Sequence, residues 1–214
     1  MKRQRTMENS TINRSDYTPD QIDALREIGN IGASHASMAL TTMLRQDILV
    51  DVPECLVCKT LEAPYALGDS EQSVVAVYMG AYGKEKGSML LILSEAVAMQ
   101  MTDMLLSQHH DPNRELNEED KEAISEIGNI CGSAYLNAIS NFLGITILPT
   151  PPGVAVGMLS AVLEYPALMA SEDHDNLVII KTNFIAELQR FPAYFIYIPD
   201  RETEKLLMEK FGIQ

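Results

Sequence analysis

Polar and apolar positions alternate in two rhythms along this chain, and the switches between them outline two similar halves. From about Pro19 to Leu44 apolar residues recur every three or four positions, which predicts a long amphipathic helix. An extended segment, DILVDVPECLVC, follows, then a short apolar helical turn around LEAPYALG. Two strand-like runs, SVVAVYMGAYG and GSMLLIL, are parted by the Gly/Lys turn GKEKG. The half closes with the helix SEAVAMQMTDMLLSQ, which Ser94 caps.

The second half opens with a helix from about Asn117 to Leu143. Asn117 serves as its cap, the acids of NEED suit its N-terminus, and Gly144 ends it. An extended piece ITILPTPPGVAV, a helical segment GMLSAVLEYPALMA and the strands NLVIIKTNFIAEL and AYFIYIP follow, before a closing helix DRETEKLLMEKFG. The resulting expectation is an α/β fold: one body of two pseudo-symmetric repeats, about 18–108 and 117–212. Its sheet is mostly antiparallel, because short turns join adjacent strands, and two long helices lie on its surface. Residues 1–17 read as a mobile tail ahead of a single domain spanning 18–214.

Two sequences carry the repeat most clearly: DALREIGNIGASHASMAL at 23–40 and EAISEIGNICGSAYLNAI at 122–139. At about 100° per residue, Asp23, Glu27, Asn30, Ser34, Ser37 and Thr41 fall in a stripe about 80° wide. Leu25, Ile28, Gly32, Ala36, Ala39 and Met43 collect on the opposite, core side, and His35 reads as a core or boundary histidine. In the second copy Glu122, Glu126, Asn129, Ser133 and Ser140 form the same stripe, interrupted by Leu136. Gly29 and Gly128 border the stripes, where a missing side chain permits close backbone approach. A helical glycine costs about 1 kcal/mol relative to alanine, and this chain incurs that cost twice in one register.

An outward Asn beside an outward Glu has a definite chemistry. A carboxamide both donates and accepts, so it can hold a water molecule in a chosen direction, but it has no useful pKa for general base work. A glutamate can pair with a partner's lysine. Phosphoryl hydrolysis can proceed on such positioning, with metal and cationic groups handling the charge. The chain has no Gly-rich phosphate loop, GxSxG elbow or HExxH. A carboxamide on a stiff exposed helix therefore suits entry into another protein's active site.

Composition narrows the partner. A net charge of −14 and a pI near 4.6 oppose binding to nucleic acid or an anionic membrane surface. No window reaches the length of a membrane span, and the basic opening lacks the apolar core of a secretory signal. Three cysteines do not make a disulfide framework, so the chain reads as cytoplasmic. Cys55 and Cys58 form a CxxC within an extended segment, where a separation of three puts them on opposite faces. No second pair completes a zinc site, and the His-His-Asp run at 109–111 reads as a solvated linker.

Asp23, Glu27, Asn30 and the downstream Pro53 resemble the signature of the CheC/CheX/FliY family of chemotaxis phosphatases, and Glu126, Asn129 and Pro151 repeat it. The layout is most similar to CheC, which carries two such sites in one chain, and the resemblance spans roughly 18–212. It implies a phosphatase acting on the phospho-aspartate of a CheY-like response regulator. Asn30 and Asn129 would orient the attacking water, and Glu27 and Glu126 would engage the regulator's lysine. The chain would carry no metal or cofactor of its own, since Mg²⁺ belongs to the regulator. Many CheC proteins also bind the deamidase CheD through the helical segment of the second half, here tentatively through Met158, Leu159, Val162 and Leu163. Two positions depart from the pattern: Glu122 stands at the Asp/Ser position of the second copy, and Gly157 stands where many CheC sequences carry an acid. The alternative reading is an adaptor that binds phosphorylated CheY or CheD with little turnover. A flagellar switch role like that of FliY ranks third, because it calls for a further C-terminal domain. The internal duplication supplies what a dimer would, so a monomer is expected.

Overall fold

The computed structural model describes residues 17–82, 87–107, 114–169 and 176–212, with side chains for all of these except 61, 82 and 165–169. The expected tail through residue 16, the turn at 83–86 and the His-His-Asp run at 109–111 lie outside the described residues. The first repeat contributes helix α1 (Pro19–Leu44), strand β1 (Leu49–Lys59), a 3-10 turn (Thr60–Glu62), α2 (Ala63–Leu67), β2 (Ser73–Tyr82), β3 (Gly87–Ser94) and α3 (Glu95–Leu105). The second contributes α4 (Glu118–Leu143), β4 (Leu148–Pro149), β5 (Gly153–Met158), α5 (Leu159–Met169), β6 (Asn176–Ala186), β7 (Gln189–Pro199) and α6 (Arg201–Lys210).

Both long helices are fixed at their N-termini by reciprocal side-chain bonds. Thr18 accepts from the Gln21 N–H while Gln21 Oε1 accepts from the Thr18 N–H. Asn117 and Asp120 exchange the same pair at 2.9 and 3.0 Å, which satisfies donors that a helix start leaves without partners. Gly144 closes α4 with φ 73°.

The seven strands form one sheet in the order β1-β6-β7-β3-β2, with β4 and β5 both on the far side of β2, and every described pairing is antiparallel. The order reveals an exchange. β1 of the first repeat pairs with β6 of the second, and β4 and β5 of the second pair with β2 of the first. Leu91 and Phe195 face each other at the centre, where β3 meets β7. Each repeat thus completes the other's sheet edge.

Side chains from both sheet faces are buried. Met89, Leu91 and Leu93 join the core beneath α1 and α4, while Leu90 and Ile92 join a smaller one beneath α2 and α5. Cys55 and Cys58 fall in different cores, on opposite faces as their spacing required, and burial pushes the Cys58 thiol up to about 11.

Two strand boundaries differ from the sequence expectation. β6 ends at Ala186, because Glu187 and Leu188 form a two-residue hairpin turn with φ of 49° and 74°. β7 then begins at Gln189 and includes Pro192. There β7 has run past its β3 pairing, which stops at Leu93↔Ala193, so the missing N–H breaks no ladder on that side.

The joint between repeats is held by a buried ion cluster. Arg114 reaches Asp103 at 2.6 Å and Asp120 at 2.6 Å, and also donates to Thr102 at 3.1 Å. Burial acts to raise the Asp120 carboxyl pKa, but the bonds from Arg114 and the Asn117 N–H outweigh it and hold it below the ordinary range.

Candidate functional site

On α1, Asp23 and Glu27 are exposed and Asn30 is half-buried; on α4, Glu122 and Glu126 are exposed and Asn129 is half-buried. Among the described residues, the side chains of Glu27, Asn30, Glu126 and Asn129 make no hydrogen bond, and each keeps some exposure to solvent. The Asn30 backbone carbonyl accepts from Ser34 Oγ at 2.9 Å. Asp23 does have a partner, Arg26, at 3.2 Å. Arg26 was not singled out from the sequence, although its i,i+3 spacing was available as a signal.

The backbone beneath the two motifs is supported differently. A Cβ at Gly128 would stand 2.6 Å from Val77 on β2, an overlap that excludes any side chain. A Cβ at Gly29 would meet Ile180 on β6 at 3.5 Å, an ordinary contact. The close approach of α1 to α4 occurs at Gly32, where a Cβ would come within 2.8 Å of Tyr135. The two sites therefore sit over opposite halves of the sheet, one above β6 and the other above β2. These strands are three spacings apart, about 14 Å.

Both signature prolines are exposed and lie on opposite sheet edges, Pro53 at a bulge within β1 and Pro151 in the break between β4 and β5. Val52 and Pro53 oppose Thr182 alone, between the pairs Asp51↔Asn183 and Glu54↔Lys181. Thr150, Pro151 and Pro152 oppose Met79 and Gly80, and the Thr150 hydroxyl accepts from the Gly80 N–H at 2.9 Å. At an edge bulge the absent proline N–H costs no ladder bond.

Several expected faces need correction. Leu25, Ile28, Gly32 and Ala36 are buried, but Ala39, Met43 and His35 are exposed. The buried side of α1 rotates toward β1 along its length, so Leu40 is buried and Ser37 and Thr41 leave the solvent stripe. Ser37 Oγ accepts from the Val50 N–H at 2.8 Å, and Thr41 Oγ1 accepts from the Ile48 N–H at 3.0 Å. In the second repeat Ser140 donates to the Ile145 carbonyl, while Leu136 is buried at the position matching Ser37. The counterpart of Val50 is Pro149, which has no N–H to satisfy. That explains the interruption in the second stripe.

The tentative CheD face is also altered. Met158 is 54% exposed, but Leu159 and Leu163 are 2% and 4% exposed in the core beneath α2 and α5, and Val162 packs partly against it.

The sequence model of the CheC-like family matches residues 21–56 and 120–156. Each match begins in the first turn of a site helix and ends in the edge strand beyond its proline. The chain thus carries that family's sequence pattern twice, once in each repeat. It is 27% identical over 197 residues to a protein named CheY-P phosphatase CheC from Bacillus subtilis (strain 168), covering 90% of this chain and 94% of that one. In fold it is similar to Thermotoga maritima FliY, with a TM-score of 0.75 at 21% identity, covering 94% of this chain and 100% of that one. The FliM middle domain from H. pylori gives 0.66 at 15% identity, with coverage of 91% and 99%. The chemotaxis protein CheX from Vibrio vulnificus gives 0.52 at 17% identity, with coverage of 81% and 99%. These structural likenesses show the fold the sequence suggested. Among its described residues no helix is long and apolar enough to cross a membrane.

Proposed function

We propose that this chain is a cytoplasmic protein phosphatase that hydrolyses the phospho-aspartate of a CheY-like response regulator in chemotaxis signalling. The supporting observation is the duplicated Glu–Asn pair, presented from two capped helices with amides that no described neighbour occupies. The B. subtilis relative named CheY-P phosphatase CheC points the same way.

In this reading Glu27 or Glu126 pairs with the regulator's lysine ammonium and sets the docking register. The carboxamide of Asn30 or Asn129 enters the regulator's site and holds a water in line with the acyl phosphate. Water attacks phosphorus, the P–O bond to the aspartate breaks, and free carboxylate and inorganic phosphate leave. Charge on the phosphoryl oxygens would be neutralised by Mg²⁺ held on the regulator, leaving positioning as the part taken by Glu27, Asn30, Glu126 and Asn129. A CheD-type partner at α5 would meet Met158 and the accessible part of Val162, since Leu159 and Leu163 are buried.

Release of radiolabelled phosphate from a phosphorylated regulator tests the assignment. Catalytic amounts of the protein should accelerate release, and the double variant Asn30→Ala, Asn129→Ala should lose the effect by about a hundredfold or more. Full activity in that variant would refute the roles given to the amides. Binding of the phosphorylated regulator without turnover would establish the adaptor reading instead.

A further inference from the structure

We infer that the two sites dock the regulator unequally and that Arg26 and Met38 make the α1 site the tighter one; this rests on the phosphatase reading. Asp23, Arg26, Glu27 and Asn30 stand three or four residues apart, so they form one contiguous patch on the helix surface. Asp23 Oδ1 lies 3.2 Å from Arg26 Nη2, and among the described residues it is the guanidinium's only ion-pair partner. Half-exposed and held one turn from Asn30, Arg26 has donors left for an anionic oxygen on the incoming protein.

The matching patch on α4 is Glu122, Ser125, Glu126 and Asn129, with serine in place of arginine. The nearest α4 cation, Lys121, is paired with Glu118 at 2.6 Å. In a chain of net charge −14, a cation beside the working amide counters the repulsion a phosphorylated surface would otherwise meet.

The same face of α1 continues past Asn30 through Ile31, Ser34 and Met38. Ile31 is 45% and Met38 64% exposed. Met38 lies eight residues beyond Asn30, about 12 Å along the axis. On α4 the counterparts are half-buried Ile130 and polar, exposed Asn137. Arginine and methionine are enriched at protein interfaces, and α1 presents both along one line through the proposed catalytic amide. The occupant is the phosphorylated face of the regulator.

Single-site proteins test this. Asn129→Ala leaves the α1 site working and Asn30→Ala leaves the α4 site. The first should show a KM lower by about tenfold, the worth of a charge-assisted bond. In the α1-only protein Arg26→Ser should raise KM and flatten its salt dependence without lowering kcat or Tm. Arg26→Lys should recover part of the loss, and Met38→Asn should raise KM by less. Grafting Ser125→Arg into the α4-only protein should lower its KM. Equal KM values for the two single-site proteins, or an active α1-only protein indifferent to Arg26→Ser, would overturn the inference.

If no turnover is found at all, the phosphatase reading fails separately. Affinity for a regulator trapped with beryllium fluoride then decides the docking claim, with unchanged affinity in Arg26→Ser counting against it. Weakening confined to the beryllium fluoride form identifies a phosphoryl oxygen as the ligand, whereas equal weakening with unphosphorylated regulator identifies a carboxylate.

Discussion

The two site helices share the run Glu-Ile-Gly-Asn, at 27–30 and 126–129, and are held by different means. The start of α4 is pinned by a buried carboxylate, Asp120, which caps the helix and grips Arg114; α1 has neutral Gln21 at the same place. Gly128 presses against Val77 with no room for a methyl group, while Gly29 has ordinary clearance above Ile180. Further along, Phe142 of α4 packs on Phe211 with ring centroids 5.6 Å apart, whereas Met43 at the equivalent place on α1 is exposed. The motif has been kept while its supports diverged. This separates what the two copies share, the outward Glu and Asn, from what differs in the scaffold of each half.

The largest effect should come from the ion cluster. Arg114→Leu removes the guanidinium from the buried carboxylates Asp103 and Asp120 and should cost about 3 kcal/mol, read as a fall in the denaturant midpoint. Because the folded pKa of Asp120 is depressed, its contribution is complete above the ordinary carboxylate value of 3.8 and is lost as pH falls below it. The wild type should therefore lose stability in that acid range more steeply than Asp120→Asn. Gln21→Ala, at the matching cap of α1, should cost only about 1 kcal/mol.

The glycines come next. Gly128→Ala should lower stability by about 2 kcal/mol through overpacking against Val77, and Gly29→Ala should be neutral or gain a few tenths through helix propensity. Equal losses at both would mean that the clearance above Ile180 is not real. Replacing both carboxylates proposed to dock the regulator, Glu27→Gln with Glu126→Gln, should raise KM by about tenfold more than it lowers kcat. An unchanged KM would remove them from the interface. The edge-strand tether gives a further small effect. Ser37→Ala leaves the Val50 N–H without its acceptor and should cost about 1 kcal/mol. Leu136→Ser should cost more, through a lost core contact, and recover nothing from a tether, since Pro149 has no N–H.

Much of this comparison could be read without coordinates. The long helices, the caps at Ser94 and Asn117, the αL stop at Gly144 and the outward Glu–Asn pairs follow from interactions within a few residues, which a linear pattern records. The opposite faces of Cys55 and Cys58 follow equally directly from strand geometry. The failures lie where a residue's role depends on a distant partner. Ala39, Met43 and His35 were placed by a fixed azimuth, but the buried side of α1 turns toward β1. Leu159 and Leu163 looked available on a helical segment and are claimed by the core beneath α2 and α5. The turn at Glu187 and Leu188 carries none of the usual Gly or Asn chemistry, so its position is set by the pairing of β6 with β7.

What the sequence determined by itself was a duplicated unit and the chemistry facing outward from it, because duplication and helical periodicity are properties of spacing alone. The tertiary structure decided which half owns which edge. β1 crosses to β6 and β5 to β2, so each proposed site stands on a sheet edge built by both repeats. That exchange depends on pairings more than a hundred residues apart in the case of β1 with β6, which no local pattern encodes.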